Sequence, residues 1–313
     1  MEIFIAFPCR NAGKKALETV SAFIAAAARP ERLRFTIVDD GSDVDAINDA
    51  ALMSLRMSFG IPIAFKRIDW GGVNKARNAA VSLVQDDQIL MTDCHCRPSP
   101  GFDIAIETYA KDNIVLALTT GDKTSSFLGY GCNLVVPFMG THWIRTNPGH
   151  LAKVDVASSA GTVFTKALHD QIGGYDEGML TYGAIEPEFS IRSWMCGIPI
   201  CSMPDVAIFH KFKGSDAINE FFEENRTRMV HNAIRFGLLY LHEERVLQML
   251  RYYASKFPEN IEEAMEMIER SDVWQRRSDL CAQQAMTFDR LCYERRIFDH
   301  TGVPLWEPVV QVS

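Results

Sequence analysis

The stretch ILMTDCHC, residues 89–96, joins an apolar run to a carboxylate and an imidazole that stand two residues apart. If the run is a strand, successive side chains point to opposite faces, so Asp93 and His95 share one face while Cys94 and Cys96 turn to the other. A carboxylate beside an imidazole is half of a site for a divalent metal ion. Open α/β sheets place their ligands at the carboxyl ends of strands. The stretch therefore predicts a strand that ends in part of a metal site.

The preceding chain alternates predicted strands and helices, which indicates an α/β fold. Short apolar runs are followed by turns and then by segments of helical length. The predicted strands are 3–7, 33–38, 62–67 and 88–92, and the helices between them are 13–28, 44–59 and 74–84. This alternation favours a mostly parallel, Rossmann-like sheet flanked by helices.

The rest of the chain is less regular and then becomes helical. Strands are predicted at 113–119, 133–137, 159–164 and 198–210, and short helices at 166–172 and 188–196. Residues 140–151, rich in Gly, His, Pro and Asn, predict a loop that serves as a mobile lid. After Gly214 the apolar residues follow a helical spacing. We therefore divide the chain into an α/β domain, 1–214, and a helical C-terminal extension, 215–313.

The composition is that of an ordinary globular protein. The 313 residues are 47% hydrophobic and 23% charged, with a formal net charge of -8 and a pI near 5.5. This acidity argues against a sequence-independent nucleic-acid coat protein. No apolar run approaches the roughly 20 residues of a membrane span, and no signal peptide precedes the first strand. The eight cysteines form no CxxC pair, which predicts reduced thiols and a cytoplasmic location.

Polar residues also follow the other predicted strands, at the edge where the carboxyl ends of parallel strands meet. They are Pro8, Arg10 and Asn11 after the first strand, Asp39 and Asp40 after the second, and Arg67 after the third. Each one alone is explained by turn formation or helix capping, for which Asp and Asn are favoured. Their occurrence together at one edge favours a binding site.

Residues 71–78, GGVNKARN, open a predicted helix. Backbone amides at a helix N-terminus attract phosphate, and Lys75 or Arg77 would add positive charge. An ordinary strand-to-helix turn with solvated basic residues explains the segment equally well. The chain has neither a GxGxxG nor a Walker pattern, so a dinucleotide oxidoreductase and a P-loop enzyme have no support.

Two acids and one histidine of the second half are further candidates. Glu186 and Glu188 stand at the start of a predicted helix, where an acid either complements the helix dipole or acts as a general base. His210 ends a predicted strand. A lone histidine in such a place is commonly structural, but here it would supply the third ligand beside Asp93 and His95.

These pieces together resemble nucleotide-sugar glycosyltransferases of the GT-A fold, above all the group that contains the polypeptide N-acetylgalactosaminyltransferases and the family-two transferases. The resemblance covers about residues 1–214, and the order and spacing of the motifs make it fairly specific. It implies a nucleotide-sugar-binding catalytic domain over 1–214. The extension 215–313 lies outside the resemblance, and we expect it to shape the acceptor side. The matching pieces are residues 7–11, 38–42, 71–80 and 173–197, Asp93-Cys94-His95 as the DxH metal motif, and His210 before residues 211–213.

The resemblance implies a role for each matching residue. Asp39 and Asp40 would lie near the uridine, and Trp143, in the lid with His142 and Arg145, would close over UDP. A divalent cation, manganese or another such as magnesium, would neutralise charge on the UDP leaving group. Glu186 would replace the catalytic base of inverting family-two enzymes, with Glu188 as a second candidate. The implied metal ligands are Asp93, His95 and His210, and the implied donor-binding residues are Pro8, Arg10, Asn11, Asp39, Asp40, Arg67, Gly72, Asn74, Trp143 and Lys213.

The chain departs from the family pattern before the helix that carries these acids. Where polypeptide transferases have Trp-Gly-Gly-Glu-Asn, residues 182–186 are Tyr-Gly-Ala-Ile-Glu, and inverting family-two enzymes have Glu-Asp in place of Ile185-Glu186. The anomeric outcome, retaining or inverting, therefore stays open. The sequence also shows neither the lectin domain nor the membrane anchor of secreted polypeptide transferases, so peptide acceptors are not expected by default.

The sequence predicts a metal-dependent enzyme that moves a hexose or N-acetylhexosamine from a UDP-sugar to an acceptor hydroxyl. The acceptor stays open among a glycan, a peptide and a hydroxymethylated DNA base. The DNA hypothesis requires Arg226, Arg228 and Arg235 to face the cleft, although a solvated helix face is the simpler interpretation. A nucleotidyltransferase is a further alternative, but its Gly-rich loop after the first strand is missing. A non-catalytic binding module is disfavoured by the three retained ligands, and the oligomeric state is not determined.

Overall fold

The computed structural model describes residues 1–85, 88–111, 113–136, 139–212, 214–281 and 284–306. Strands and helices alternate through the first part of the chain as predicted. These elements are β1 (Ile3–Cys9), α1 (Gly13–Ala26), β2 (Leu33–Asp40), α2 (Asp49–Phe59), β3 (Ile63–Ile68), α3 (Val73–Ser82) and β4 (Gln88–Met91). α2 begins at Asp49 rather than at Val44, because the Asn48 side chain caps it by accepting the N–H of Ala51.

The middle of the chain adds short strands and two helices to this framework. They are β5 (Arg97–Pro98), α4 (Phe102–Tyr109), β6 (Val115–Asp122), β7 (Leu128–Gly129), β8 (Cys132–Val135), β9 (Gly140–Trp143), β10 (Ala152–Lys153), β11 (Thr162–Thr165), α5 (Lys166–Ile172) and β12 (Ile200–His210). The predicted loop over 140–151 is wrong at its start, since β9 forms a two-stranded sheet with β8. The end of the predicted strand 133–137 lies outside the described residues.

The central sheet has the strand order β10-β12-β6-β11-β4-β1-β2-β3, with β5 on β12 and β7 on β6. The longest ladders, β1 with β2, β2 with β3 and β6 with β12, are parallel, whereas β11 runs antiparallel between β4 and β6. The carboxyl ends of β1, β2, β3 and β4 therefore meet at one edge. This is the predicted α/β architecture, and it gathers the polar strand-end residues.

The sheet is stable because its central strands are apolar on both faces. Ile5 and Phe35 on one face and Ala6 and Val38 on the other are almost completely buried, as expected for parallel strands covered on both sides by helices. α1 contributes the helically spaced Val20 and Phe23, and the Phe23 ring packs edge-on against Phe102 of α4 at 5.3 Å between centroids. The core thus lies beneath the polar edge and holds that edge in place.

The chain forms two compact units. The first comprises 1–132, 143–175 and 199–212, and the second comprises 133–142, 176–198 and the described residues from 214 onward. The helices of the second unit are α6 (Ile185–Met195), α7 (Ser215–Tyr240), α8 (Glu243–Lys256), α9 (Pro258–Glu269), α10 (Val273–Cys281) and α11 (Phe288–Arg295). The functional division into domains 1–214 and 215–313 stays a prediction. Within the described residues, no helix combines the length and the apolarity that crossing a membrane requires.

Candidate functional site

Asp93 and His95 lie in a turn rather than on a strand. β4 ends at Met91, and the N–H of Cys96 donates to the carbonyl of Asp93 at 3.3 Å. Cys94 and Cys96 are buried, whereas the two polar side chains are half-buried. The predicted separation of polar and thiol side chains is therefore present, but the turn produces it and strand alternation does not.

His210 reaches this turn because β5 pairs antiparallel with the end of β12, which places Arg97 opposite Phe209. Nε2 of His95 lies 2.7 Å from Nε2 of His210, and Nε2 of His210 lies 3.7 Å from Oδ2 of Asp93. The three candidate ligand atoms all lie within 4.8 Å of one another. A carboxylate and two imidazoles at this spacing can hold a divalent metal ion.

The surroundings of both imidazoles favour the neutral ring, the form in which histidine ligates a metal. Burial lowers the pKa of His95 to about 4 against the opposing charge of Asp93, and His210 and Lys123 add to the lowering. Burial also lowers the pKa of His210. The backbone N–H of Lys123 donates to the carbonyl of His210 at 3.0 Å, and its ammonium group donates to the carbonyl of His95. Lys123 therefore ties the two histidine backbones together.

Arg77 is the buried cation beside Asp93. Its side chain is only 4% exposed, and its Nη2 lies 3.9 Å from Oδ1 of Asp93. The guanidinium group also stands over the ring of Tyr175, 5.2 Å from the centroid. The sequence suggested phosphate binding for Lys75 or Arg77, but the helical spacing of Asn74, Arg77 and Val81 puts Arg77 on the inner face of α3. That spacing is the signal from which its position could have been found.

Asp39, at the end of β2, joins two of the predicted donor-binding segments. Its Oδ1 accepts the N–H of Ser42 at 2.9 Å, and its Oδ2 accepts Nε–H of Arg67 at 3.2 Å. The strand register places Asp39 opposite Arg67 on β3. Because Asp39 is fully buried and half of the Arg67 side chain is exposed, the pair presents its cationic end at the edge of the sheet.

Asp40 fixes the turn that opens α3. Its two carboxylate oxygens accept the N–H groups of Gly71 at 2.8 Å and Gly72 at 3.1 Å. Gly72 is the N-cap of α3 with φ of 89°, a conformation that glycine adopts without a steric penalty. Asp40 therefore holds this glycine turn directly, by two hydrogen bonds.

The loop after β1 is joined to the loop after β2. Oδ1 of Asn11 accepts the N–H groups of residues 43 and 44 at 3.1 and 3.2 Å. The exposed Arg10 stands 4.8 Å from the centroid of the Trp70 ring. Arg10 and Asn11 are therefore gathered at the same edge as Asp39 and Asp40.

Three other predicted donor-binding residues are placed differently. Pro8 is buried within β1, and Asn74 is 1% exposed on α3. Lys213 lies outside the described residues. The donor-binding roles of all three residues stay predictions.

Trp143 belongs to a group of rings beside His210. Its ring lies 5.4 Å from that of Phe127, which lies 5.4 Å from Phe212, and Phe212 packs edge-on against His210 at 4.8 Å. A Cβ at Gly129 would lie 2.3 Å from the indole ring, so the glycine permits this packing. Sequence reasoning missed Phe127 and Phe212, since nothing in their local pattern distinguishes them from core residues.

The structure separates the two candidate acids of α6. Glu186 is half-buried in the first turn. Glu188 is fully buried, accepts Nε–H and Nη2–H of Arg192 at 2.8 Å each, and accepts the hydroxyl of Tyr240 at 2.7 Å. The carboxylate of Glu188 is thus enclosed and accepts hydrogen bonds on both oxygens, and its catalytic role stays a prediction. Residues 188 and 192 share the inner face of α6 by their i,i+4 spacing.

Replacing Glu188 with alanine should lower the free energy of unfolding by about 3–5 kcal/mol, because the change leaves Arg192 buried without its counter-charge. The measurement is equilibrium denaturation with urea. The matched control is Glu266→Ala, which removes an i,i+4 pair with Arg270 whose side chains are 54% and 77% exposed. That variant should lose at most about 0.5 kcal/mol, and equal losses in the two variants would show that burial of the Glu188 pair is not decisive.

The three tail arginines proposed for a DNA acceptor do not form one surface. Arg235 is fully buried and donates to Asp176 at 2.8 and 2.9 Å. Arg226 lies over the ring of Phe257 at 4.7 Å, and Arg228 donates to Asn225 at 3.4 Å. The interpretation of all three as a solvated face is therefore wrong for Arg235, and the same burial removes Arg235 from any nucleic-acid contact.

The first part of this chain is similar to a described family of sequences. Residues 4–126 match the model for glycosyl transferase family 2. Polypeptide N-acetylgalactosaminyltransferase 8 of Drosophila melanogaster is 23% identical over 197 residues, which covers 56% of this chain and 32% of that protein. Polypeptide N-acetylgalactosaminyltransferase 12 of Mus musculus is 24% identical over 194 residues, or 56% and 33% of the two chains. The matches thus span about a third of the length of these relatives.

Solved structures show the same fold at lower identity. A crystal structure of GalNAc-T7 with UDP, GalNAc and Mn²⁺ matches with a TM-score of 0.71 and 15% identity, over 94% of this chain and 56% of that one. S. aureus TarS matches with a TM-score of 0.51 and 13% identity, over 84% and 50%. The expected GT-A fold is confirmed by these structures, and residues 4–126 are similar to glycosyl transferase family 2.

Proposed function

We propose that this protein is a metal-dependent glycosyltransferase that moves a hexose or N-acetylhexosamine from a UDP-sugar to an acceptor hydroxyl. The observation that carries the proposal is the Asp93–His95–His210 group at the edge of the sheet. It supports nucleotide-sugar chemistry because it lies in the same unit as the Asp39 and Asp40 turns, in a fold shared with an enzyme crystallised with UDP and Mn²⁺.

The three ligands fit manganese or a similar divalent cation such as magnesium. They offer one carboxylate and two imidazoles, a donor set that suits such a cation, and among the described residues no group forms a hydrogen bond with the buried Nδ1 of His210. When bound, the cation supplies Lewis-acid stabilisation of the diphosphate leaving group. Asp93, His95 and His210 would hold it, and Arg77 would limit the net negative charge around Asp93 by its own positive charge.

The remaining residues of the edge would bind and orient the donor. The guanidinium groups of Arg10 and Arg67 would supply positive charge at the turns where the nucleotide is expected. Asp40 would keep the N–H groups of the turn before α3 in place, and Asp39 would keep Arg67 in place. The ring group of Trp143, Phe127 and Phe212 would exclude water beside His210.

Glu186 is the proposed general base toward the acceptor hydroxyl. It stands half-buried in the first turn of α6, and a positioned carboxylate of this kind can accept the proton of an attacking hydroxyl. Of the two acids, Glu186 is favoured for this role because it is half-buried, whereas Glu188 is fully buried. The sugar, the acceptor class and the anomeric outcome are left to experiment, and the cytoplasmic location stays a prediction.

The test is a panel of UDP-sugars incubated with the protein, with and without Mn²⁺, in which released UDP is quantified. At least one UDP-sugar should release UDP by hydrolysis, and removal of the metal with EDTA should stop the release. A matched series of GDP-sugars tests whether the protein requires the uracil base of the donor. No release and no binding of any UDP-sugar in the presence of Mn²⁺ would refute the proposal.

A further inference from the structure

Helix α7 presents one face to the segment that leads into α6, residues 176–184. Met229, Asn232 and Arg235 follow one another at i,i+3 spacing, so they lie on the same side of the helix. Arg235 donates to both carboxylate oxygens of Asp176 at the start of the segment. A Cβ on Gly183, near its end, would lie 3.1 Å from Cγ of Met229. The segment is therefore held at both ends by the same helix face.

Asn232 makes the central contact of this face. Its Oδ1 accepts the N–H of Leu180 at 2.7 Å, and its Nδ2 lies within hydrogen-bond distance of the carbonyls of Leu180, Tyr182 and Gly183 at 2.7, 3.0 and 2.9 Å. The side chain is fully buried. A carboxamide is suited to this place because it both accepts and donates, whereas a carboxylate only accepts.

The segment that Asn232 holds has an unfavourable backbone conformation. Thr181, Gly183 and Ala184 have φ of 37°, 89° and 58°, and for Thr181 and Ala184 this left-handed region is costly. Such a conformation persists only where the surroundings impose it. Ala184 also accepts the first hydrogen bond of α6, from the N–H of Glu188 at 2.9 Å. The direction of the first turn of α6, which carries Glu186, is thus set by this strained backbone.

We propose that Asn232 is a positioning residue that imposes the strained conformation of residues 181–184 and thereby orients Glu186 for catalysis. The inference rests on the proposed function through the role of Glu186. It assigns to the helical part of the chain a task in the reaction, although Asn232 itself touches no substrate.

The test compares Asn232→Ala with Asn225→Ala. Asn225 is a matched control, since it is buried on the same helix and its bonds, to Phe221 and Arg228, stay within α7. Asn232→Ala should reduce the rate of UDP release from the best UDP-sugar about 100-fold, as expected for a misplaced catalytic group. Its Kd for Mn²⁺ should stay within about twofold of the wild-type value, since the ligands lie in the other unit. Asn225→Ala should stay within about twofold in both.

A second substitution separates positioning from general stability. Glycine adopts the φ of residue 184 without strain. Adding Ala184→Gly to Asn232→Ala should therefore raise the rate of UDP release about tenfold above that of Asn232→Ala alone. If Asn232→Ala lowers the rate by the same factor whether residue 184 is alanine or glycine, the proposal is overturned. If Asn232→Ala does not fold, the isosteric Asn232→Asp, which keeps only the acceptor, replaces it in the same cycle.

Hydrogen exchange keeps this inference distinct from the proposed function. The amide of Leu180 should exchange at least about tenfold faster in Asn232→Ala, because its acceptor is gone. Unchanged exchange would refute the clamp even in an active enzyme. The opposite outcome is a wild-type protein that releases no UDP while Leu180 exchanges faster in Asn232→Ala. That result would refute the proposed function and the catalytic part of this inference, but the contact of Asn232 with the segment would stand.

Discussion

Replacing His210 with alanine should weaken Mn²⁺ binding by at least about 100-fold and stop metal-dependent UDP release. Substitutions that only touch a ligand's hydrogen-bond partners already cost about 10–100-fold in metal affinity, and His210→Ala removes a ligand itself. Asp93→Asn should act in the same direction, since it removes the only negative charge of the three ligands. Titration of the metal-free protein with Mn²⁺, followed by electron paramagnetic resonance, measures the free ion directly and needs no substrate.

The control for this experiment is His150→Ala, which removes an exposed histidine of the same unit. It should bind Mn²⁺ with wild-type affinity. Circular dichroism of each variant checks that the fold is retained. Wild-type Mn²⁺ affinity in His210→Ala and in Asp93→Asn would remove the metal assignment, and with it the observation on which the proposed function depends.

Glu186→Gln should slow turnover by about 10²–10⁴-fold, the range that a general base contributes, while Mn²⁺ and UDP binding stay unchanged. Glutamine preserves the size of the side chain and its place in the first turn of α6, so the effect reports the loss of proton transfer. Single-turnover UDP release from the donor found in the panel measures the step without interference from product dissociation.

The matched control is Glu177→Gln, which changes an exposed acid of the same unit. Its turnover should equal that of the wild type. Unchanged turnover in Glu186→Gln would exclude the base, and nuclear magnetic resonance of the released sugar would then show whether the configuration at the anomeric carbon is retained. A retained configuration would favour a mechanism that does not need a base at this position.

Much of the sheet edge was predictable because it depends on local sequence order. Neighbouring parallel strands present their carboxyl ends at the same edge of a sheet. The sequence alone therefore predicts that Asp39, Asp40, Arg67 and Asp93 lie at one edge. The structure adds which groups bond to which, such as Asp39 to Arg67 and Asp40 to the turn before α3. Local pattern predicts where a side chain is found, but its partner depends on register between strands.

Glu186 and Glu188 show where local pattern was insufficient. Both are acids in the first turn of one helix, and the helix dipole treats them alike. Only packing distinguishes them, because Glu188 faces Arg192 and Tyr240 inside the protein. Arg235 is a similar case. A basic residue on a long helix suggests a solvated face, but Arg235 is bound by Asp176, which is distant in sequence.

By itself the sequence determined the α/β alternation, the polar edge, the DxH motif and the resemblance to a family of glycosyltransferases, because these follow from periodicity and from short motifs. The tertiary structure alone decided that His95 and His210 meet, that Arg77 accompanies Asp93, and that Asn232 holds the backbone before Glu186. The physical reason is that such contacts join residues far apart in the chain. Their geometry depends on strand pairing and helix packing, which no local segment contains.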